Sequence, residues 1–85
     1  MRFKLESTRE FYDDLRTLDS ITAKIVDRKL VMTLLNPYRN KRLKVPKRQV
    51  YRIRIGKYRL IYEIIRNRII LSRIINRKYN YTNLK

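Results

Sequence analysis

Tyr51-Arg52-Ile53-Arg54-Ile55-Gly56-Lys57-Tyr58-Arg59-Leu60-Ile61-Tyr62-Glu63-Ile64-Ile65 reads as two β-strands joined at Gly56-Lys57. Apolar and basic residues alternate along the first strand with period two. Tyr51, Ile53 and Ile55 therefore take one face of a sheet, and Arg52 and Arg54 the other. Gly at the first position of a two-residue loop suits a II′ turn. Such a turn pairs Ile55 with Tyr58, Arg54 with Arg59 and Ile53 with Leu60. Arg54 and Arg59 then stand directly opposite each other, with Arg52 two residues along the same face. Like charges so placed destabilise a sheet. An anion in the gap removes the conflict, and phosphate fits it.

Outward from this hairpin, a further strand is predicted over 69–75, after a turn at Arg66-Asn67-Arg68. The turn's length is open by one residue, and that residue decides whether Arg73 joins the arginine face. Upstream, residues 1–6 alternate Phe3 and Leu5 with Arg2, Lys4 and Glu6, a short first strand. Ser7 or Thr8 can cap a helix, with Glu10 placed to complete a capping box. Phe11, Leu15 and Leu18 mark its apolar face. Asp19-Ser20 opens a second helix with Ile21, Ile25, Val26, Leu30 and Leu34 as its stripe, and Asn36-Pro37 ends it. The tight joint between the helices makes a hairpin. Residues 38–48 form a basic connector, and 76–85 a polar tail. The order β-α-α-β-β-β predicts an α+β fold, one domain over 1–85. The helical hairpin should pack on one face of a small, mainly antiparallel twisted sheet, leaving the arginine face open.

Composition limits the chemistry. The 85 residues hold no Cys and no His, which excludes disulfides, thiolate metal sites and the commonest general base. Nothing implies a cofactor. No apolar run reaches the ~18 residues of a membrane span, and residues 1–6 lack a signal peptide's apolar region, so a cytoplasmic location is expected. The formal charge is +16. Residues 1–27 carry five bases against six acids (−1), and residues 28–85 eighteen bases against Glu63 alone (+17). So asymmetric a surface attracts polyanions through counterion release. The plainer reading of the charge is a solvated Lys/Arg surface.

The chain resembles the RelE/ParE superfamily of toxins from type II toxin–antitoxin systems. The resemblance rests on the first strand, the helical hairpin ending at Asn36-Pro37, the block at 51–64, and Arg77-Lys78-Tyr79-Asn80-Tyr81, similar to the family's Arg-x-x-x-Tyr ending. In the RelE branch it implies cleavage of messenger RNA in the ribosomal decoding site by attack of a 2′-hydroxyl on the phosphodiester. Carried over by position, the catalytic set is Arg52, Arg54, Arg59, Arg77 and Tyr81. Arg39, Lys41, Arg42, Lys44, Lys47, Arg48, Lys57, Arg73 and Lys78 are the expected RNA-binding surface. Guanidinium groups suit the charge that builds on a phosphoryl group. Tyr81 could act as a base, stack on a nucleobase, or anchor the tail. The better-known catalytic members carry lysines at the positions of Arg52 and Arg54, and arginine is a poor proton donor. Implied partners are an acidic antitoxin, mRNA and the ribosome, with no membrane. The ParE branch, which binds DNA gyrase and cleaves nothing, is the second reading. A basic nucleic-acid-binding module is the third.

Overall fold

The structure is a computed structural model and describes residues 2–76. Its elements are β1 (Lys4–Ser7), α1 (Arg9–Arg16), α2 (Ser20–Leu35), β2 (Lys41–Arg42), β3 (Gln49–Ile55), β4 (Tyr58–Ile65) and β5 (Arg68–Asn76). The strands form one sheet in the order β1-β5-β4-β3-β2. β1 runs parallel to β5, and the other neighbours are antiparallel. This is the expected α+β arrangement with one added strand.

The central hairpin has the predicted register: Ile55 faces Tyr58, Arg54 faces Arg59 and Ile53 faces Leu60. Gly56 adopts φ +58°, as the first position of a II′ turn requires. The next turn is also a two-residue loop, because Ile65 pairs with Arg68. Continued without a break, that register would set Arg73 opposite Leu60, in the core. A shift between Ile61 and Tyr62 prevents it. Tyr62 faces Leu71 and Ile61 faces Arg73, so Ser72 is the extra residue of a bulge. Ile74 now faces Leu60 in the core, and Arg73 joins the rank of Arg52 and Ile61.

One face of the sheet carries Tyr51, Ile53, Ile55, Leu60, Tyr62, Ile64, Ile69, Leu71 and Ile74, all buried against Phe11 and Val26 of the helices. Burying a side chain such as Leu60 fully stabilises by roughly 1.5–3 kcal/mol. Thr8 caps α1: its hydroxyl accepts the Phe11 N–H at 3.1 Å and donates to the Ser72 carbonyl at 2.8 Å. With Thr8 as the cap, Glu10 falls one position short of the capping-box site, so the expected box is not formed. Asp19 holds the N-cap position of α2 without a side-chain cap bond. Tyr62 reaches across the core and donates to the Pro37 carbonyl at 2.6 Å. It also accepts from Asn40 at 3.0 Å, which fixes the chain where it leaves α2.

Two further expectations need correction. Ile21 is 70% exposed and not part of the packed stripe of α2, whose buried residues are Val26 and Thr33. The second sheet face is not fully open. Val50, Ile61 and Ile75 form a small apolar cluster there, with Leu43 and Val45 of the connector packed on it. That covering follows from β2: Lys41 and Arg42 pair with Arg52 and Tyr51, and the Leu43 N–H continues to the Val50 carbonyl at 2.8 Å.

Candidate nucleic-acid interface

The pleat assembles the candidate site in ranks across the sheet face remote from the helices. Nearest the Gly56 turn, Arg54, Arg59 and Ile75 lie side by side on β3, β4 and β5. The next rank is Lys41, Arg52, Ile61 and Arg73 on β2 to β5. The third is Val50, Glu63, Ile70 and Glu6, which extends to β1. Ile61 and Ile75 are 3% and 5% exposed, a dry floor between cationic side chains. Alternation in Lys41-Arg42-Leu43-Lys44-Val45 was the signal for this part of the face. It sets Lys41 beside Arg52 and sends Leu43 onto the floor.

The acids near this face are already engaged. Glu63 takes a bidentate pair from Arg48, at 3.0 and 2.7 Å. Glu6 takes one from Arg68, at 2.8 and 2.9 Å. Asp14 of α1 takes Arg73, at 2.8 and 3.3 Å, together with the Ile74 N–H. These bonds hold the Arg48 and Arg68 guanidiniums above, and the Glu6 carboxyl below, their usual pKa ranges. Among the described residues, Arg52 and Arg54 enter no ion pair. Positive charge near the turn is thus left without a carboxylate at Arg52 and Arg54, on a rigid hairpin. Preorganised guanidiniums of this kind bind phosphoryl oxygens.

The residues proposed from sequence divide accordingly. Arg52, Arg54, Arg59 and Lys41 share the ranks just described. Lys57 lies in the hairpin turn, its Nζ 5.5 Å from the Tyr58 ring centre. Arg39, Arg42, Lys44 and Lys47 are exposed on the connector. Arg48 and Arg73 are committed to Glu63 and Asp14. Arg77, Lys78 and Tyr81 lie outside the described residues. Tyr51 and Tyr62 are core residues, stacked with ring centres 5.4 Å apart. Burial pushes the Tyr62 phenol up to about 12, against the Asn40 hydrogen bond that lowers it. Among the described residues no cluster of acids could hold a metal ion, and no helix is long and apolar enough to cross a membrane.

Solved structures share this architecture. The chain superposes on one in the archaeal RelE–RelB complex from Pyrococcus horikoshii with TM-score 0.79 and 17% identity, covering 94% of this chain and 100% of that one. For the intact RelBE toxin–antitoxin complex of E. coli the TM-score is 0.76 at 24% identity, covering 87% and 95%. For the YoeB dimer of Staphylococcus aureus it is 0.75 at 20% identity, covering 95% and 100%. No curated protein sequence matches the chain. Residues 5–81 match the family model described as the ParE toxin of the type II toxin–antitoxin system parDE. That match takes in the hairpin and both helices, and on it the chain belongs to the ParE toxin family of type II toxin–antitoxin systems.

Proposed function

We propose that this toxin is a RelE-like endoribonuclease that cleaves mRNA on the ribosome and so blocks translation. The observation that carries the reading is Arg54 directly opposite Arg59, with Arg52 and Lys41 in the next rank. A sheet bears this repulsion best when an anion lies across it. In-line attack by a 2′-hydroxyl on the neighbouring phosphorus leaves a 2′,3′-cyclic phosphate on one fragment and a 5′-hydroxyl on the other. Negative charge grows on the non-bridging oxygens during that step, and the guanidiniums stabilise it. Arg77 and Tyr81, carried over by position from the family's Arg-x-x-x-Tyr ending, complete the proposed catalytic set. The exposed cations Arg39, Arg42, Lys44 and Lys47 of the connector and Lys57 of the turn hold the RNA backbone, and Lys78 is assigned to the same role from its place in the sequence.

The partner is an acidic antitoxin. The Pyrococcus and E. coli relatives are described in complexes with RelB antitoxins, and a chain of +16 needs negative charge to mask it. The outward face of α2 also supports a partner, since Ile21, Val31, Met32 and Leu35 are exposed there.

The family description favours a second reading, in which the same fold inhibits DNA gyrase and cleaves nothing. Primer extension on translated messages in expressing cells separates the two. Codon-phased cuts that vanish in Arg59→Ala and Arg77→Ala support cleavage. Intact messages with stalled supercoiling support gyrase inhibition and exclude the first reading.

A further inference from the structure

Glu63 is the one acid of β3 and β4, and it lies on the same face as the arginines. Its cross-strand partner is Val50, while Arg52 stands opposite Ile61. Glu63 and Arg52 are therefore diagonal neighbours on adjacent strands. Diagonal Cα atoms lie about 7–8 Å apart, within reach of two long side chains. A free Glu63 carboxylate would be the nearest competitor with phosphate for Arg52. In the structure it is taken by Arg48 instead, at 2.7 and 3.0 Å.

We infer that Arg48 is a positioning residue that shields the phosphate site: by holding Glu63 it keeps Arg52 available to the anion, without touching RNA itself. The inference rests on the proposed function of the Arg52–Arg54–Arg59 face. The connector is built to deliver Arg48. Leu43 and Val45 are seated on Val50, Ile61 and Ile75. The chain then turns through Pro46 and Lys47, with Lys47 at φ +60° and the Arg48 N–H on the Val45 carbonyl at 3.3 Å. A non-glycine residue at positive φ is held there by its surroundings. Here those surroundings are the apolar seat on one side and the Arg48–Glu63 clasp on the other. Glu6 does not threaten the arginines in the same way. It sits on β1, at the far edge of the sheet from β3, and Arg68 holds it.

The shield makes a prediction that a direct contact does not: removing Glu63 should rescue the loss of Arg48. The measurement is fluorescence anisotropy of the full chain with a short 2′-O-methyl oligouridine, which cannot be cleaved by 2′-hydroxyl attack. Thermal unfolding confirms that each variant is folded. Arg48→Ala should weaken binding about fivefold, the scale of one partly exposed charge pair. Glu63→Gln should bind at least as tightly as the parent, and Arg48→Ala/Glu63→Gln should return to within about twofold of it. If the double variant binds as weakly as Arg48→Ala, Arg48 contacts the RNA directly and the shield is wrong. Unchanged binding in Arg48→Ala overturns it as well. Arg54→Ala separates the two levels of the argument. When it weakens binding but the rescue fails, only the shield is lost. When it binds like the parent, the arginine-face reading falls and the shield with it.

Discussion

The Asp14 carboxylate accepts the backbone N–H of Ile74 at 2.8 Å with the same oxygen that takes Arg73 Nε at 2.8 Å. β1 pairs with β5 only as far as Leu71. Beyond it the edge of β5 offers backbone groups that need partners. α1 supplies them in order along the strand. The Thr8 hydroxyl goes to the Ser72 carbonyl, and Asp14 goes to the Ile74 N–H one helix length later. A helix thereby continues the pairing that a strand began. Asp14→Ala should cost about 1–3 kcal/mol in urea unfolding, because a partly buried N–H and the Arg73 guanidinium both lose their acceptor. Asp14→Asn keeps an oxygen for the N–H and should cost less. Equal losses in the two variants would show that the backbone bond contributes nothing and the charge everything.

Tyr62 makes stability fall at high pH. Its phenol is fully buried and raised to about 12, chiefly by burial. A group whose folded pKa lies above its unfolded value of ~10 favours the fold fully below that value. The contribution is lost as pH climbs from there through about 12. Absorbance at 295 nm should show one tyrosine ionising late, together with unfolding. Tyr62→Phe should flatten this part of the stability profile. At neutral pH it should cost about 1–3 kcal/mol, because the Pro37 carbonyl loses its donor. A Tyr62→Phe profile as steep as the parent's would assign the alkaline loss to other groups.

The two tight turns invite opposite substitutions. Gly56 and Arg66 both open two-residue loops, at φ +58° each. A Cβ on Gly56 would meet nothing within 4 Å, so Gly56→Ala tests backbone conformation alone. It should destabilise by about 1 kcal/mol, since the left-handed region costs an L-residue about 1–2 kcal/mol. Arg66→Gly should relieve the same strain, partly offset by the freedom glycine gains in the unfolded chain. A net gain of about 0.5 kcal/mol is expected by chemical denaturation. A loss on Arg66→Gly would mean that the arginine side chain stabilises the turn by more than its backbone costs.

The same contrast explains what could be read ahead of the structure. The central hairpin was legible because Gly56 sits between two runs of strict alternation, which leaves a single register. The Arg66-Asn67 turn has no glycine to mark its first position, so its length stayed open between two values. The bulge at Ser72 is invisible in Leu71-Ser72-Arg73-Ile74, where no glycine or proline breaks the strand. It is dictated by the core, which takes Ile74 and rejects Arg73. β2 has only two residues, and its basic side chains masked a period-two pattern that Leu43 and Val45 reveal. Ile21 misled because α2 carries apolar residues on both its inner and outer faces, so spacing alone could not say which was packed. The carboxylate partners of Arg48 and Arg73 come from distant parts of the chain, and charge counting cannot pair them.

Arg54 should show stability and activity moving in opposite directions. It is exposed, faces Arg59, and joins no ion pair among the described residues. Removing one of two directly opposed like charges should stabilise the hairpin by about 0.2–1 kcal/mol, most at low salt. RNA cleavage should fall by about 10²–10³, the usual loss when one preorganised charge-stabilising donor is removed. Growth inhibition and the unfolding midpoint of Arg54→Ala measure the two effects. A variant both more stable and fully toxic would place the phosphate elsewhere on the sheet.

The proposed reaction still has to put a proton on the leaving 5′-oxygen. Arg52, Arg54 and Arg59 are poor donors, because a guanidinium is not deprotonated in proteins. Glu63, the acid of this hairpin, has both carboxylate oxygens held by the Arg48 guanidinium, at 2.7 and 3.0 Å. Among the described residues of the arginine ranks, Lys41 is the remaining side chain that carries a removable proton, and it is exposed on the two-residue β2. Charge stabilisation then does most of the work and general acid catalysis little, which costs about 10²–10⁴ in rate relative to an enzyme with both. A substrate whose bridging 5′-oxygen is replaced by sulfur does not need that proton, since a thiolate leaves unaided. The modified RNA should therefore be cut about 10²-fold or more faster than the natural one. Lys41→Ala should leave that advantage unchanged. Equal rates for the two substrates would reveal an efficient proton donor. If Lys41→Ala then restored the advantage of sulfur, the donor would be Lys41, and if not, the acid would belong to the tail that carries Tyr81.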